Sequence, residues 1–163
     1  ELPLGRQLEM LRVNITSLTH LTGLLLPGMI ERGRGGILNV ASTAAFQPGP
    51  GMAVYYATKA YVLSFSEALA EELAGTGVTV TASCPGPTAT NFGAAANMKT
   101  LGLVKKISMS AESVAQISHR AFRRGGVVAI TGFRNQFPTL LVRLFPRAVV
   151  RKITKRLNGV KYE

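Results

Sequence analysis

Three short apolar runs constrain this chain more than any other feature. Ile37-Leu-Asn-Val-Ala, Val78-Thr-Val-Thr-Ala-Ser-Cys and Gly125-Gly-Val-Val-Ala-Ile-Thr-Gly are rich in β-branched residues and bounded by turn formers, the pattern of strands buried on both faces. The intervals between them are too long for hairpins and carry helical patterns. Residues 52–74 place Tyr55, Lys59, Val62, Phe65 and Leu69 at three- and four-residue steps and close at Gly75, a C-cap residue. Ser110 opens a second helix over 110–124, with its hydroxyl placed to cap the first turn. Ahead of the first run, apolar residues from Leu8 to Leu25 recur at mixed steps, which predicts one long helix or two consecutive ones over 5–29, kinked or ended by Pro27. Strands alternating with helices imply an α/β unit with a parallel sheet.

Composition narrows the chemistry. The 163 residues are 47% hydrophobic, enough for a core and too apolar for disorder. Cys84 is the only cysteine and His20 and His119 are far apart, so neither a disulfide nor a metal cluster is expected, and a reducing, cytoplasmic setting fits. His20 and His119 read as ordinary helix residues, Cys84 as a small buried hydrophobe, and Met98 and Met109 as pocket lining or core filler. The uncharged windows 13–30 and 73–98 are interrupted by Asn, Thr, His, Gly and Pro, which argues against a membrane span. The net charge of +11 is lopsided: residues 1–90 hold five Lys/Arg and six Glu, residues 91–163 fourteen and two.

The stretch from Ser42 to Lys59 carries the candidate chemistry. Tyr55 and Lys59 stand four apart on one helix, so phenol and ammonium face the same way. Ser42 lies 13 residues before Tyr55, across a Pro/Gly-rich loop able to fold its hydroxyl back. A free phenol, with a pKa of about 10, is a poor base near neutrality. A lysine one turn away is expected to lower that value, so that Tyr55 exchanges a proton with a carbonyl or alcohol oxygen. With no Asp in the chain, a Ser/His/Asp triad is excluded. Tyr-x-x-x-Lys alone is common on helices. Here it sits in a chain order: Asn14 on the preceding helix, Ser42 at a strand end, Tyr55 and Lys59, then Pro85-Gly86-Pro87-Thr88-Ala89-Thr90 after the next strand.

In that order the sequence resembles the second half of a short-chain dehydrogenase/reductase, over about residues 5 to 132. The resemblance implies the C-terminal part of a Rossmann-like, doubly wound parallel sheet, with three strands and flanking helices. It also implies an NAD(P)-dependent oxidoreductase interconverting a carbonyl and an alcohol. Tyr55 takes the acid/base role, Lys59 the nicotinamide ribose and the tyrosine pKa, Ser42 the substrate carbonyl, and Asn14 a relay water. Pro85, Gly86, Thr88 and Thr90 match the segment that packs on the nicotinamide. Tyr56 is the weaker rival, because Thr43 rather than Ser42 then stands 13 residues upstream. NADP and NAD are not distinguished, and the substrate is set by the loop at 91–108. The helices at about 8–30 and 52–74 are those that pair in family dimers.

One departure stands out. The glycine-rich turn between the family's first strand and helix does not occur here, and Gly33, Gly35 and Gly36 follow no strand. The chain therefore reads as a fragment lacking the N-terminal cofactor-binding half, expected to bind cofactor poorly alone and to leave the strand at 37–41 with an unpaired edge. The contrasting reading is a non-catalytic remnant that oligomerises or associates with a membrane surface. Residues 1–134 form the oxidoreductase part and 135–163 a basic amphipathic extension. In the extension Arg143, Arg147, Arg151 and Lys155 recur every four residues beside an apolar row, Val142, Phe145, Val149, Ile153 and Leu157. That row either packs on the body or meets an anionic membrane surface; nucleic-acid binding has little aromatic support.

Overall fold

The computed structural model describes residues 2–90 and 108–160. Helix α1 spans Leu4–Glu31, with a π turn at Arg12–Ser17 in its middle. Strand β1 (Gly35–Val40) leads through a 3-10 turn (Thr43–Phe46) to helix α2 (Ala53–Glu72). Then come β2 (Val78–Cys84), the short β3 (Thr88–Ala89) and β4 (Met109–Ser110), α3 (Ala111–Arg123), β5 (Val128–Ile130), α4 (Phe133–Leu144) and α5 (Arg147–Leu157). The loop read at 91–107, with Met98, lies outside the described residues.

The main sheet has the order β1-β2-β5. Both pairings are parallel, with Gly35 opposite Val78 and Val40 opposite Ser83 in one, and Ala82 opposite Val128 in the other. Central β2 is buried along nearly its whole length, and strand alternation divides its side chains between two helical layers. Val78, Val80, Ala82 and Cys84 face α2 and α1, packing with Val62, Leu63, Leu69 and Leu73, while Leu18, Leu26 and Met29 close the layer from α1. Each fully buried Val or Leu among them contributes about 1.5–3 kcal/mol by leaving water. Ser83 faces the other way, its hydroxyl 2.6 Å from that of Ser118 on α3. Ser110 caps α3 as its sequence suggests, accepting from the Ser113 amide at 3.1 Å.

Pro27 does not end α1; the helix continues to Glu31. Proline removes one amide donor and crowds the carbonyl four residues back. That residue is Gly23, and both Gly23 and Pro27 are exposed, so water can take over the freed carbonyl. Continuity also changes the membrane reading, because Leu4–Glu31 is long and apolar enough, by length and composition, to cross a bilayer. Within the fold its inner side is nevertheless tied to α2: Asn14 donates to Thr58 at 3.1 Å, and Thr19 and Tyr61 hydroxyls meet at 2.7 Å.

The C-terminal segment breaks at Pro146, as read; Val142 of its apolar row is half-buried, but the members on α5 do not pack on the body. Helix α5 is seated through Val150 and Thr154, while Val149, Ile153 and Leu157 stay 40%, 50% and 61% exposed. The packed strip is displaced by one residue from the row because α5 is anchored at its far end by Asn158, which donates to the Pro50 carbonyl at 2.8 Å.

Candidate active site

The site forms where β1 and β2 end. Ser42 leaves β1 in extended backbone and caps the 3-10 turn, its Oγ accepting from the Ala44 amide at 3.1 Å. The same hydroxyl donates toward the Pro85 carbonyl at 3.4 Å, while that carbonyl accepts the Thr43 amide at 2.9 Å. The two strand ends are thereby sewn together, and the Ser42 side chain is held facing α2, where it hydrogen-bonds Tyr55.

Tyr55 stands in the first turn of α2, with the Lys59 ammonium 5.9 Å from its ring centroid. Both residues are half-buried. Lys59 donates to the Val40 carbonyl at 2.9 Å, bracing the last residue of β1. Burial pushes the Tyr55 phenol above its usual range; the Ser42 hydrogen bond pulls it down, and neighbouring Tyr56 pushes it up. The expectation that Lys59 lowers this pKa is therefore not met. The ammonium lies over the ring and is engaged by a backbone carbonyl, and burial lowers its own pKa, so desolvation outweighs attraction at the phenol oxygen. Cys84, at the end of β2, is fully buried and its thiol is pushed up to about 12 by that burial, which makes it an inert part of the core.

Asn14 lies on the π turn of α1, but its partner is Thr58 rather than the phenol. Thr58 in turn donates to the Tyr55 carbonyl at 2.8 Å. Two residues of functional geometry escape sequence reading. Thr58 is fully buried and joins Asn14 to the tyrosine turn; nothing in Ala-Thr-Lys distinguishes it from any helical threonine. Asn158, 102 residues from Tyr56, accepts the Tyr56 hydroxyl at 3.3 Å. Local sequence carries no signal for so distant a pairing. Tyr56 is thus turned to α5, edge-on to the Tyr55 ring at 6.0 Å, with Gly49 against its face where a Cβ has no room.

The Pro85–Thr90 segment lies beside this group. Thr88 donates to the Gly86 carbonyl at 3.0 Å, Thr90 is exposed, and Gly86 packs against Asn135 of α4 so closely that a Cβ would collide with it. Phenol, hydroxyl, ammonium and this loop gather at the carboxyl end of a parallel sheet, where open α/β sheets bind ligands. The surface depressions lined by Leu73, Val78 and Val127 lie at the opposite end of the strands. Among the described residues no cluster of His, Cys or Glu could hold a metal.

A family model described as short chain dehydrogenase matches residues 2–100. Human very-long-chain 3-oxoacyl-CoA reductase is 43% identical over 77 residues, 47% of this chain and 25% of that protein. An NADP-dependent 3-hydroxy acid dehydrogenase from Salmonella typhi is 48% identical over 77 residues, 47% of this chain and 31% of that protein. Among solved structures, a short-chain dehydrogenase from Sphingobium yanoikuyae in complex with NADPH superposes with a TM-score of 0.74 at 28% identity, over 88% of this chain and 56% of that one. A short-chain dehydrogenase from Burkholderia cenocepacia in complex with NADP, at 22% identity and a TM-score of 0.72 over 88% of this chain and 56% of that one, shares the fold. The chain thus spans between a quarter and a little over half of the relatives it matches.

Proposed function

Since this chain belongs to the short-chain dehydrogenase family, we propose that it carries the proton-transfer half of an NAD(P)-dependent oxidoreductase that interconverts a carbonyl and an alcohol. The observation that carries the reading is the Lys59 ammonium 5.9 Å from the Tyr55 ring centroid, with the Ser42 hydroxyl fixed at the end of β1 and acting on the same phenol. The chemistry of this donor set fits a nicotinamide nucleotide: Tyr55, Lys59, Pro85, Gly86, Thr88 and Thr90 are the residues that would hold it. When bound, the nucleotide supplies or accepts the hydride. In the reductive direction Tyr55 holds a proton at Oη and delivers it to the substrate oxygen, which Ser42 orients by a second hydrogen bond. A phenol held above its usual pKa keeps that proton at neutral pH. Asn14 acts through Thr58 on the backbone that carries Tyr55 and is a positioning residue in this reading.

The glycine-rich turn that takes the pyrophosphate in dinucleotide-binding sheets is not among these 163 residues. We place it in polypeptide joined to β1 from outside this sequence, and place the assembled enzyme in the cytoplasm as a dimer through α1 and α2. The exposed Leu21, Leu24 and Leu25 of α1 favour that pairing. Two measurements separate the parts. Titration of the 163-residue chain with NADPH and NADH, followed by nicotinamide fluorescence, should give binding weaker than micromolar; micromolar affinity overturns the half-site reading. In a chain completed with the glycine-rich half, Tyr55→Phe should lower carbonyl reduction by about 10²–10⁴-fold with little change in nucleotide affinity. Full activity in that variant overturns the role of Tyr55.

A further inference from the structure

Helices α4 and α5 each leave an apolar stripe in solvent. On α4, Phe133, Phe137, Leu140 and Leu144 recur at four, three and four residues and are all exposed, Phe133 to 83% and Leu144 to 73%; the helix is held instead by its other side, where Thr139 is buried. At 100° per residue those four positions fall on one narrow line. On α5, Val149, Ile153 and Leu157 form a second exposed stripe, and Lys152 and Arg156 precede its last two members, so the apolar line is edged by cations. Soluble surfaces scatter such residues singly. Here they line up along one side of each of two consecutive helices.

Charge decides the occupant. Between Glu112 and Glu163 the sequence contains no acidic residue, and residues 133–157 carry seven Lys/Arg. A second copy laid on this face would set like charge against like. Apolar stripes flanked by cations and by no carboxylate suit an anionic lipid surface, into which the stripe inserts at headgroup depth while Lys and Arg meet phosphates. We propose that α4 and α5 form a peripheral docking face for anionic membranes. The seating of α5 through Val150, Thr154 and Asn158 is compatible with docking, because it uses a different strip of the helix. Through its bonds to Pro50 and Tyr56, Asn158 then sets the loop beside Tyr55 next to the lipid boundary. The docking face stands independently of the oxidoreductase reading.

The test is co-sedimentation of the 163-residue chain with vesicles of phosphatidylcholine alone and of equimolar phosphatidylcholine and phosphatidylglycerol. Binding is expected to the mixed vesicles only and to fall with added salt. Lys152→Gln with Arg156→Gln should weaken it roughly twenty- to thirtyfold, from about fivefold per cation near the surface. Ile153→Glu with Leu157→Glu should reduce it at least about tenfold. All four positions are exposed, so circular dichroism should confirm unchanged folding. Equal binding to both vesicle types, absence of binding by the folded chain, or undiminished binding by both double variants overturns the proposal. So does self-association in sedimentation velocity that the Glu variants abolish without any lipid binding, which assigns the face to a second copy. Binding to an acidic polypeptide in place of the mixed vesicles overturns it too.

Discussion

Tyr55 holds its proton because burial disfavours the phenolate more than Ser42 stabilises it. Its ionisation in this chain should therefore be centred above the ordinary value of 10.0. The sign for stability follows: a group whose pKa is raised on folding stabilises the fold below its unfolded pKa, and that contribution disappears as pH rises through the folded value. Lys59, lowered by burial, acts oppositely and opposes folding while it is charged, so melting curves alone would mix the two effects. Difference spectroscopy does not. The tyrosinate absorbance of the wild type minus that of Tyr55→Phe should have its midpoint above pH 10, and a midpoint near 8 would show that Lys59 dominates after all. The reason for misjudging this shift from sequence is physical. A four-residue spacing places Lys59 beside Tyr55, but it says nothing of the Val40 carbonyl that receives the ammonium, nor of the walls that exclude water.

Among elements, strands and helices were legible in proportion to how local their causes are. β2 was readable to the residue, because alternation of apolar and hydroxyl-bearing side chains over 78–84 answers to two helical layers. The Ser110 cap and the break at Pro146 rest on local chemistry and were equally visible; α2 was read over 52–74 and spans Ala53–Glu72, with Leu73 rather than Gly75 as its C-cap. That Pro27 does not stop the helix was not legible, because the cost of a proline depends on whether water can reach the carbonyl it frees, and that is a property of the surroundings of α1. β1 begins at Gly35, ahead of the apolar run at 37–41. Both of its glycines are required by close neighbours, Met29 beside Gly35 and Phe122 beside Gly36, so residues that read as a turn are strand for reasons of packing. The π turn at Asn14 had no sequence signal. It supplies the one-residue slip that aims Asn14 at Thr58, and such insertions gather at functional sites.

At the scale of the molecule, the sheet order β1-β2-β5 leaves β1 with one neighbour among the described residues. β1 carries Ile37, Leu38 and Val40, with Val40 58% exposed, and ahead of the Val40 carbonyl, which Lys59 occupies, its outer edge faces no other strand among the described residues. The parallel alternation of strand and helix was evident in the sequence, whereas the identity of the neighbour is not a property of these residues. Left alone, such an edge recruits another copy, and the recruitment should grow steeply with concentration because two free edges must meet. Net charge of +11 slows the encounter at low salt and does so less as salt screens it. Charge placed on the edge itself acts at contact range and is screened least. Val40→Glu puts a carboxylate in an exposed position near the Lys59 ammonium, at little cost to the core. Light scattering of the 163-residue chain at rising concentration in moderate salt should show growth for the wild type and several-fold slower growth for Val40→Glu. Equal growth of the two would locate the sticky surface elsewhere, with the apolar stripes of α4 and α5 as the next surface to test by the same substitutions that probe lipid binding.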